Sequence, residues 1–234
     1  MNSITKKEIS LKKDTHQYVL STDPDIQFTS VTTFVEKFFE GFDAKKIANR
    51  LIENYPKYSN YTVDSLILEW SEKANYGTQV HNEIEKWIKN KIDPKDIKAI
   101  NGKNWLDNYK KKSNIEILSE IIVYSKQLSI AGTIDILAKD NVTGTYEIID
   151  WKTSKKIDTV SYKNKMGTHK TTNHIMDCNF YHYSLQLSLY RYILEEYYNL
   201  KINNQLIVHL KDDGVNALIA PYMKNEIIAM LSAD

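Results

Sequence analysis

Two apolar runs joined by a short turn occupy the middle of the chain, in segment 131–153. Both runs are rich in Ile, Leu, Thr and Tyr, and residues 141–144 between them (NVTG) are typical of a turn, so the segment predicts an antiparallel β-hairpin. Each run also contains one carboxylate among its apolar residues, Asp135 in the first and Asp150 in the second. Because side chains alternate between the faces of a strand, Asp150 and Lys152 share one face. The hairpin therefore brings two acids and a lysine together.

The two acids of this hairpin need a physical reason for their position. An isolated carboxylate inside an apolar strand is costly, so a metal, a cation or an active site is the usual reason for one. One interpretation is a structural ion pair between Asp150 and Lys152 at a strand end. The other is a catalytic or metal-binding site, and the two residues alone leave both interpretations open.

Four short patterns in this sequence resemble those of one nuclease superfamily. Residues 132–135 (GTID), followed by 150–152 (DWK), resemble the GxxD…(D/E)xK signature of the PD-(D/E)XK nucleases in their RecB-like branch. The GTxxH pattern at 77–81 and the QxxxY pattern at 186–190 stand in the order found in that branch. The resemblance runs from about residue 16 to residue 210, and only the GxxD…DxK pair is specific by itself.

The N-terminal part of the chain carries a second resemblance. Segment 16–33 is similar to the corresponding part of phage exonucleases and of mitochondrial genome maintenance exonucleases. The SVTT stretch at 30–33 also has a simpler interpretation, as the N-cap and first residues of a helix. The sequence alone favours this simpler interpretation.

The resemblance implies a role for each residue of the candidate site. Carboxylate and imidazole ligands with open water positions suit Mg²⁺ or Mn²⁺. The implied metal ligands are His81, Asp135, Asp150 and the Trp151 carbonyl, and the implied catalytic residues are Asp135, Asp150 and Lys152. Lys152 would hold or deprotonate the attacking water, and Glu120, Gln186 and Tyr190 would support the site. His81 as a hydrogen-bonded core residue and Glu120 as a structural acid remain the alternatives.

Overall charge gives no sign of a nucleic-acid partner. The chain has 31 Lys and Arg residues against 30 Asp and Glu, a net charge of +1. Any basic surface for DNA must therefore be local. The long connection 154–179 is the candidate, because its lysines would suit the backbone of a nucleic acid. The predicted DNA-binding residues are Lys155, Lys156, Lys163 and Lys165, and the alternative is a solvated surface loop.

Several classes of protein are excluded by what the sequence lacks. A single cysteine, Cys178, excludes an internal disulfide framework and a four-cysteine zinc or iron–sulfur site. No GxxxxGK[ST] phosphate loop occurs, so no ATP-driven helicase is fused to the chain. No secretory signal and no apolar run of membrane-spanning length is present. We expect a protein of a reducing, DNA-containing compartment that is neither secreted nor bound to a membrane.

The expected fold is α/β. Strands that are apolar on both faces need cover on both sides, which predicts an α/β/α sandwich with a central mixed β-sheet, the restriction-endonuclease-like core. We expect one domain over residues 1–234, with a mostly helical region at 1–113 and the catalytic sheet core at 114–234. The resemblance alone implies that the helical N-terminal insertion forms a cap or arch over the site. A helix over 62–91 is expected with a break near 75–77, and another over 95–112 with an interruption at 101–102.

The expected activity follows from the resemblance. It implies a metal-dependent nuclease that hydrolyses DNA phosphodiester bonds, as an exonuclease on single-stranded ends. One alternative is a structure-dependent or nicking endonuclease on the same core. The other, of a different class, is a catalytically silent module that only binds nucleic acid, although the intact Asp135, Asp150 and Lys152 argue against it.

Overall fold

A computed structural model of the chain describes residues 8–12 and 14–233. Within these residues the core is a mixed sheet of six strands, with a separate two-stranded hairpin beside it. The hairpin consists of β1 (Ile9–Lys12) and β2 (Gln17–Leu20). The six-stranded sheet contains β3 (Thr29–Ser30), β4 (Ile115–Ser125), β5 (Ile130–Asp140), β6 (Tyr146–Lys152), β7 (Ile202–Lys211) and β8 (Gly214–Ile219).

Six helices accompany these strands in the described part of the chain. Their bounds are α1 (Val31–Glu36), α2 (Ala44–Asn54), α3 (Val63–Asn90), α4 (Ile97–Lys110), α5 (Asn179–Tyr198) and α6 (Lys224–Leu231). None of them is long and apolar enough to cross a membrane. The side chain of Ser30 caps α1 by accepting a hydrogen bond from the Thr33 N–H, which is the helix-cap role expected from the SVTT stretch.

The sheet order is β3-β5-β6-β7-β8. Strands β3 and β6 pair with one edge of β5 at different positions along it, and β4 pairs with the opposite edge. The pairs β3–β5 and β6–β7 are parallel and the remaining pairs are antiparallel. The predicted central hairpin is confirmed as β5 and β6. Its turn closes where the Gly144 N–H donates to the Asp140 carbonyl, and Gly144 has a φ of 70° that suits a glycine.

Helices cover the two faces of the sheet. The apolar sides of α1, α5 and α6 form one buried cluster with strand residues that include Leu137 and Ile148. The apolar sides of α3 and α4 form a second cluster with strand residues that include Ile136, Ile149 and Trp151. Neighbouring residues of one strand thus contribute to opposite layers, as the period of two requires. The prediction of a mixed α/β sandwich is confirmed.

Two predicted helix breaks are wrong. Helix α3 runs without interruption through Gly77, and α4 runs through Gly102. In both cases the glycine permits close packing inside the helix. A Cβ atom on Gly77 would lie 2.8 Å from Thr153 Oγ1, and one on Gly102 would lie 2.8 Å from Ile84 Cδ1. Close packing of neighbouring elements therefore requires glycine at these two positions, and neither glycine forms a turn.

The long connection between β6 and α5 packs against the turn that follows α1. Thr172 is fully buried, and its hydroxyl donates to the Phe38 carbonyl at 2.8 Å. Gly167 lies against Thr172 so closely that a Cβ atom would meet its Oγ1 at 2.4 Å. The segment lacks regular periodicity, as expected, but it contributes buried side chains to the domain.

One buried hydroxyl joins α5 to the C-terminal segment, and it predicts a stability effect. Ser188 Oγ accepts from Gln205 Nε2 at 3.1 Å and from the Met223 N–H at 3.0 Å. Ser188→Ala should lower the free energy of unfolding by about 1–3 kcal/mol, because it leaves buried donors unsatisfied. Urea unfolding measures this loss. Ser184→Ala is the control, since that buried hydroxyl bonds only to the Phe180 carbonyl of its own helix, and equal losses in both variants would contradict the prediction.

Candidate active site

The candidate site lies where β5 and β6 separate. Their ladder ends at the pair Ile136–Ile149, so the next opposed positions are Asp135 and Asp150. Beyond this point β6 stays paired with β7 but no longer with β5. The Trp151 N–H donates instead to Asp135 Oδ2 at 2.8 Å, so a carboxylate replaces the backbone acceptor. The fork opens space between the two acids that a continuous ladder would close.

Lys152 forms a buried ion pair with the second acid. Its Nζ lies 2.6 Å from Asp150 Oδ2, and the two side chains are 17% and 6% exposed. Gln186 Nε2 donates to the other oxygen, Oδ1, at 3.4 Å. Burial alone would lower the pKa of Lys152, but Asp150 and Asp135 outweigh burial and raise it. Lys152 is therefore a cation at neutral pH.

His81 contacts the first acid from α3. Its Nδ1 lies 3.5 Å from Asp135 Oδ1. Burial would lower the pKa of His81, but the Asp135 carboxylate outweighs burial and raises it. Burial also opposes ionisation of Asp135, yet the charges of His81 and Lys152 hold its pKa below the ordinary value. His81 is thus a partner of the predicted acid, and its side chain is partly exposed.

Glu120 occupies the position opposite Asp135 on the other neighbouring strand. The pairs Ser119–Ile136 and Ile121–Ile134 enclose it, but Glu120 itself is left out of the ladder. Its φ of 54° is left-handed, which is rare for a glutamate and marks local strain. Burial, and then the Asp135 charge, raise the pKa of Glu120 to about 7. Three carboxylates thus occupy one row across β4, β5 and β6.

Helix α5 supplies the supporting residues predicted from the QxxxY pattern. The Tyr190 hydroxyl donates to the Thr133 carbonyl at 2.9 Å, while Gln186 holds Asp150. Tyr190 also explains the glycine of GxxD, because a Cβ atom on Gly132 would lie 2.6 Å from its Cε1. The structure therefore brings all the predicted catalytic and supporting residues to one place. The Trp151 contact with the site is made by its N–H, whereas its carbonyl was predicted.

Sequence reasoning missed two tyrosines beside this site. The Tyr183 ring lies beneath Lys152, with Nζ 4.4 Å from the ring centroid. Tyr18 comes from β2, and its hydroxyl lies 3.0 Å from Thr133 Oγ1. Tyr183 precedes Gln186 by three residues, and this helical spacing was a usable signal. Nothing in the sequence around Tyr18 places it against β5.

The four lysines predicted to bind DNA lie in different surroundings. Lys155 lines the same groove as Lys152 and has no ion-pair partner in the described residues. Lys156 pairs with Asp158 at 2.8 Å. Lys163 lies over the Tyr162 ring, and Lys165 pairs with Glu40 on the far side of α1. Only Lys155 of the four lines the groove at the candidate site.

The donor atoms of the site suit a hard divalent cation. Within residues 8–12 and 14–233, no three His, Cys, Asp or Glu side chains are arranged as a metal-binding group. Two carboxylates and an imidazole do converge at the fork, since Asp135 and Asp150 are opposed across it and His81 Nδ1 lies 3.5 Å from Asp135 Oδ1. Oxygen-rich sets with one nitrogen suit Mg²⁺ or Mn²⁺. Asp135, Asp150 and His81 are therefore the residues that would hold such an ion.

Comparisons with known proteins add little to this description. No protein-family model matches the chain, and no curated protein matches it significantly. Among solved structures, the chain is similar to the crystal structure of SSO0001. The match has 13% sequence identity and a TM-score of 0.38, and it covers 88% of this chain and 73% of that chain. A likeness at this level carries no argument.

Metal binding is testable without any activity. Mg²⁺ or Mn²⁺ should raise the melting temperature of the protein, because an ion at about 100 times its Kd adds about 2.7 kcal/mol to the stability of the folded state. Asp150→Asn should abolish this metal-induced increment and His81→Ala should reduce it. Differential scanning fluorimetry with and without chelator measures it. His174→Ala is the control, since His174 is 60% exposed and lies against Glu226; an unchanged increment in Asp150→Asn would contradict the assignment.

Proposed function

We propose that this chain is a metal-dependent nuclease of the PD-(D/E)XK type, RecB-like in its motifs, that hydrolyses DNA phosphodiester bonds at single-stranded ends. The observation that carries the proposal is the buried set of Asp135, Asp150 and Lys152 at the fork between two strands. A structural ion pair would not need the second acid, the histidine or a strained glutamate beside it. Groups this costly to bury are typical of active sites.

The side chains of the fork fit hydrolysis at phosphorus. A bound Mg²⁺ or Mn²⁺ would neutralise charge on the phosphate and lower the pKa of a water molecule. Lys152 is held as a cation by two acids, so it would orient water or a phosphate oxygen by charge rather than act as a free base. Its ammonium is positioned from one side by Asp150 and from below by Tyr183. Catalysis then depends on positioning and electrostatic stabilisation, with no covalent intermediate.

Glu120 and Gln186 act on the two acids rather than on the substrate. Gln186 fixes the Asp150 carboxylate, and Glu120 adds a third acid in the row next to Asp135. We propose that Glu120 helps hold water at the fork. The Tyr190 bond to the Thr133 carbonyl holds β5 at a position where it pairs with β4 but no longer with β6.

Substitution of the fork residues tests the nuclease proposal. Asp135→Asn or Asp150→Asn should abolish cleavage of single-stranded DNA with little change in volume, and Lys152→Ala should lower the rate at least about a hundredfold. The rates are measured on a 5′-labelled linear strand with Mg²⁺ and with Mn²⁺. Asp158→Asn is the control, since Asp158 is a half-exposed partner of Lys156. Undiminished turnover in Asp150→Asn at saturating metal would sink the proposal.

The requirement for an end is tested with closed substrates. An exonuclease should degrade linear single strands and spare covalently closed single-stranded circles of the same sequence. Bulky blocks placed on one end at a time then show the polarity. Rapid cutting of closed circles at the same enzyme concentration would replace the exonuclease proposal with an endonuclease on the same core.

A further inference from the structure

Two cavities lie beside the candidate site along α3. The larger is a groove of ≈1030 Å³ that is lined by Lys152, and the smaller has ≈440 Å³ and is lined by Asp135 and Glu120. Thr78 and His81 line both cavities. Lys152 thus lines one space, Asp135 and Glu120 line the other, and the two spaces share one turn of α3.

The larger cavity is basic and aromatic. Five of its lining residues are lysines and two are aspartates, although the whole chain has a net charge of +1. Lys155 has no ion-pair partner within residues 8–12 and 14–233. The ion pairs of Lys73 with Glu69 and of Lys211 with Asp213 are exposed and therefore weak enough to yield to a phosphate.

Aromatic rings accompany these lysines. Trp70 lines the groove and meets Phe42 edge to face, with ring centroids 5.5 Å apart. Phe42 is 69% exposed, which leaves an aromatic surface open beside Trp70. Tyr183 lies at the inner end, under Lys152. Lysines interleaved with aromatic rings suit a backbone of phosphates with unstacked bases, which is the chemistry of single-stranded nucleic acid.

The smaller cavity has the opposite character. None of its lining residues within the described chain is a lysine or an arginine. Two acids, Asp135 and Glu120, and two histidines line it. Its other polar groups are hydroxyls and amides, among them Ser30, Thr32, Asn82 and Gln186. Neutral donors and acceptors of this kind suit the edges of a sugar and a base, whereas the two acids disfavour a further phosphate. The space is also less than half that of the groove.

We propose that a single strand passes alongside Thr78 and His81, with its body in the larger groove and its terminal nucleoside in the smaller cavity. This inference rests on the proposed nuclease function. The bond to be cleaved then lies at the boundary that Thr78 and His81 share, between Lys152 on one side and Asp135 on the other. The small size of the second cavity selects a chain end, and cleavage releases short products.

Binding without cleavage tests the groove. Wild type and variants are titrated with a fluorescein-labelled oligothymidylate in chelator, and Kd is read from fluorescence anisotropy over a range of salt. Trp70→Ala should raise Kd at least about fivefold, the lower end for one lost base stack. Lys155→Ala should raise Kd and reduce the salt slope by about 1, as loss of one phosphate contact does. The controls are Leu68→Ala, an exposed leucine of α3, and Lys156→Ala, the adjacent lysine outside the groove.

Cleavage tests the smaller cavity. Asn82→Trp fills it without removing a fork residue. The control, Asn90→Trp, makes the same change about two turns further along α3, at a position that lines neither cavity. Asn82→Trp should keep Kd within about twofold of wild type but slow release of the terminal product at least about tenfold, while Asn90→Trp behaves as wild type. An unchanged metal-induced shift in melting temperature shows that the fork is intact in Asn82→Trp.

The outcomes separate this inference from the proposed function. If wild type binds with the expected order of Kd values but cleaves nothing with either metal, the groove assignment holds and the nuclease proposal fails. If wild type cleaves but Lys155→Ala and Lys156→Ala bind alike and Trp70→Ala binds as wild type, the groove assignment is overturned. Weakened binding by Asn82→Trp would place the body of the strand in the smaller cavity and overturn the division.

Discussion

The hydrogen bond from the Trp151 N–H to the Asp135 carboxylate is the interaction on which the candidate site depends. It replaces a ladder bond that β5 would otherwise make with β6, and it lets the strands part without leaving a buried N–H unsatisfied. Strand β6 continues past the fork because β7 pairs with its other edge. A fork built in this way holds Asp135 and Asp150 at opposed positions with a gap between them.

Burial of charge at the fork is tolerated because Asp150 and Asp135 each lie beside a basic side chain. Lys152 lies against Asp150, and His81 lies against Asp135, so desolvation is offset by attraction in a medium of low dielectric. The compensation is incomplete, since Glu120 keeps a raised pKa of about 7. An isolated salt bridge would be more stable without the third acid. The surplus of carboxylate at one fork is what separates a functional arrangement from a structural one.

The sequence was sufficient for the local features and insufficient for those that depend on tertiary contacts. Strand alternation predicted the hairpin and the common face of Asp150 and Lys152, because these follow from a period of two. The glycines at 77 and 102 were misread as breaks, since a glycine that ends a helix and one that permits close packing look alike in one dimension. The difference between Lys155 and Lys156 was also hidden, because the groove is lined by five separate segments of the chain.

Helix α3 links the close-packed glycine to the chemistry of the fork. Gly77 and His81 are four residues apart and therefore lie on one face of the helix, one turn from each other. Gly77 lies against Thr153, the residue that follows Lys152, and a Cβ atom there would approach Thr153 Oγ1 to 2.8 Å. The close approach of Gly77 to Thr153 thus positions both His81 relative to Asp135 and the end of β6. A side chain at position 77 would move the helix or the strand end, so the glycine and the histidine of the GTxxH pattern serve the same geometry.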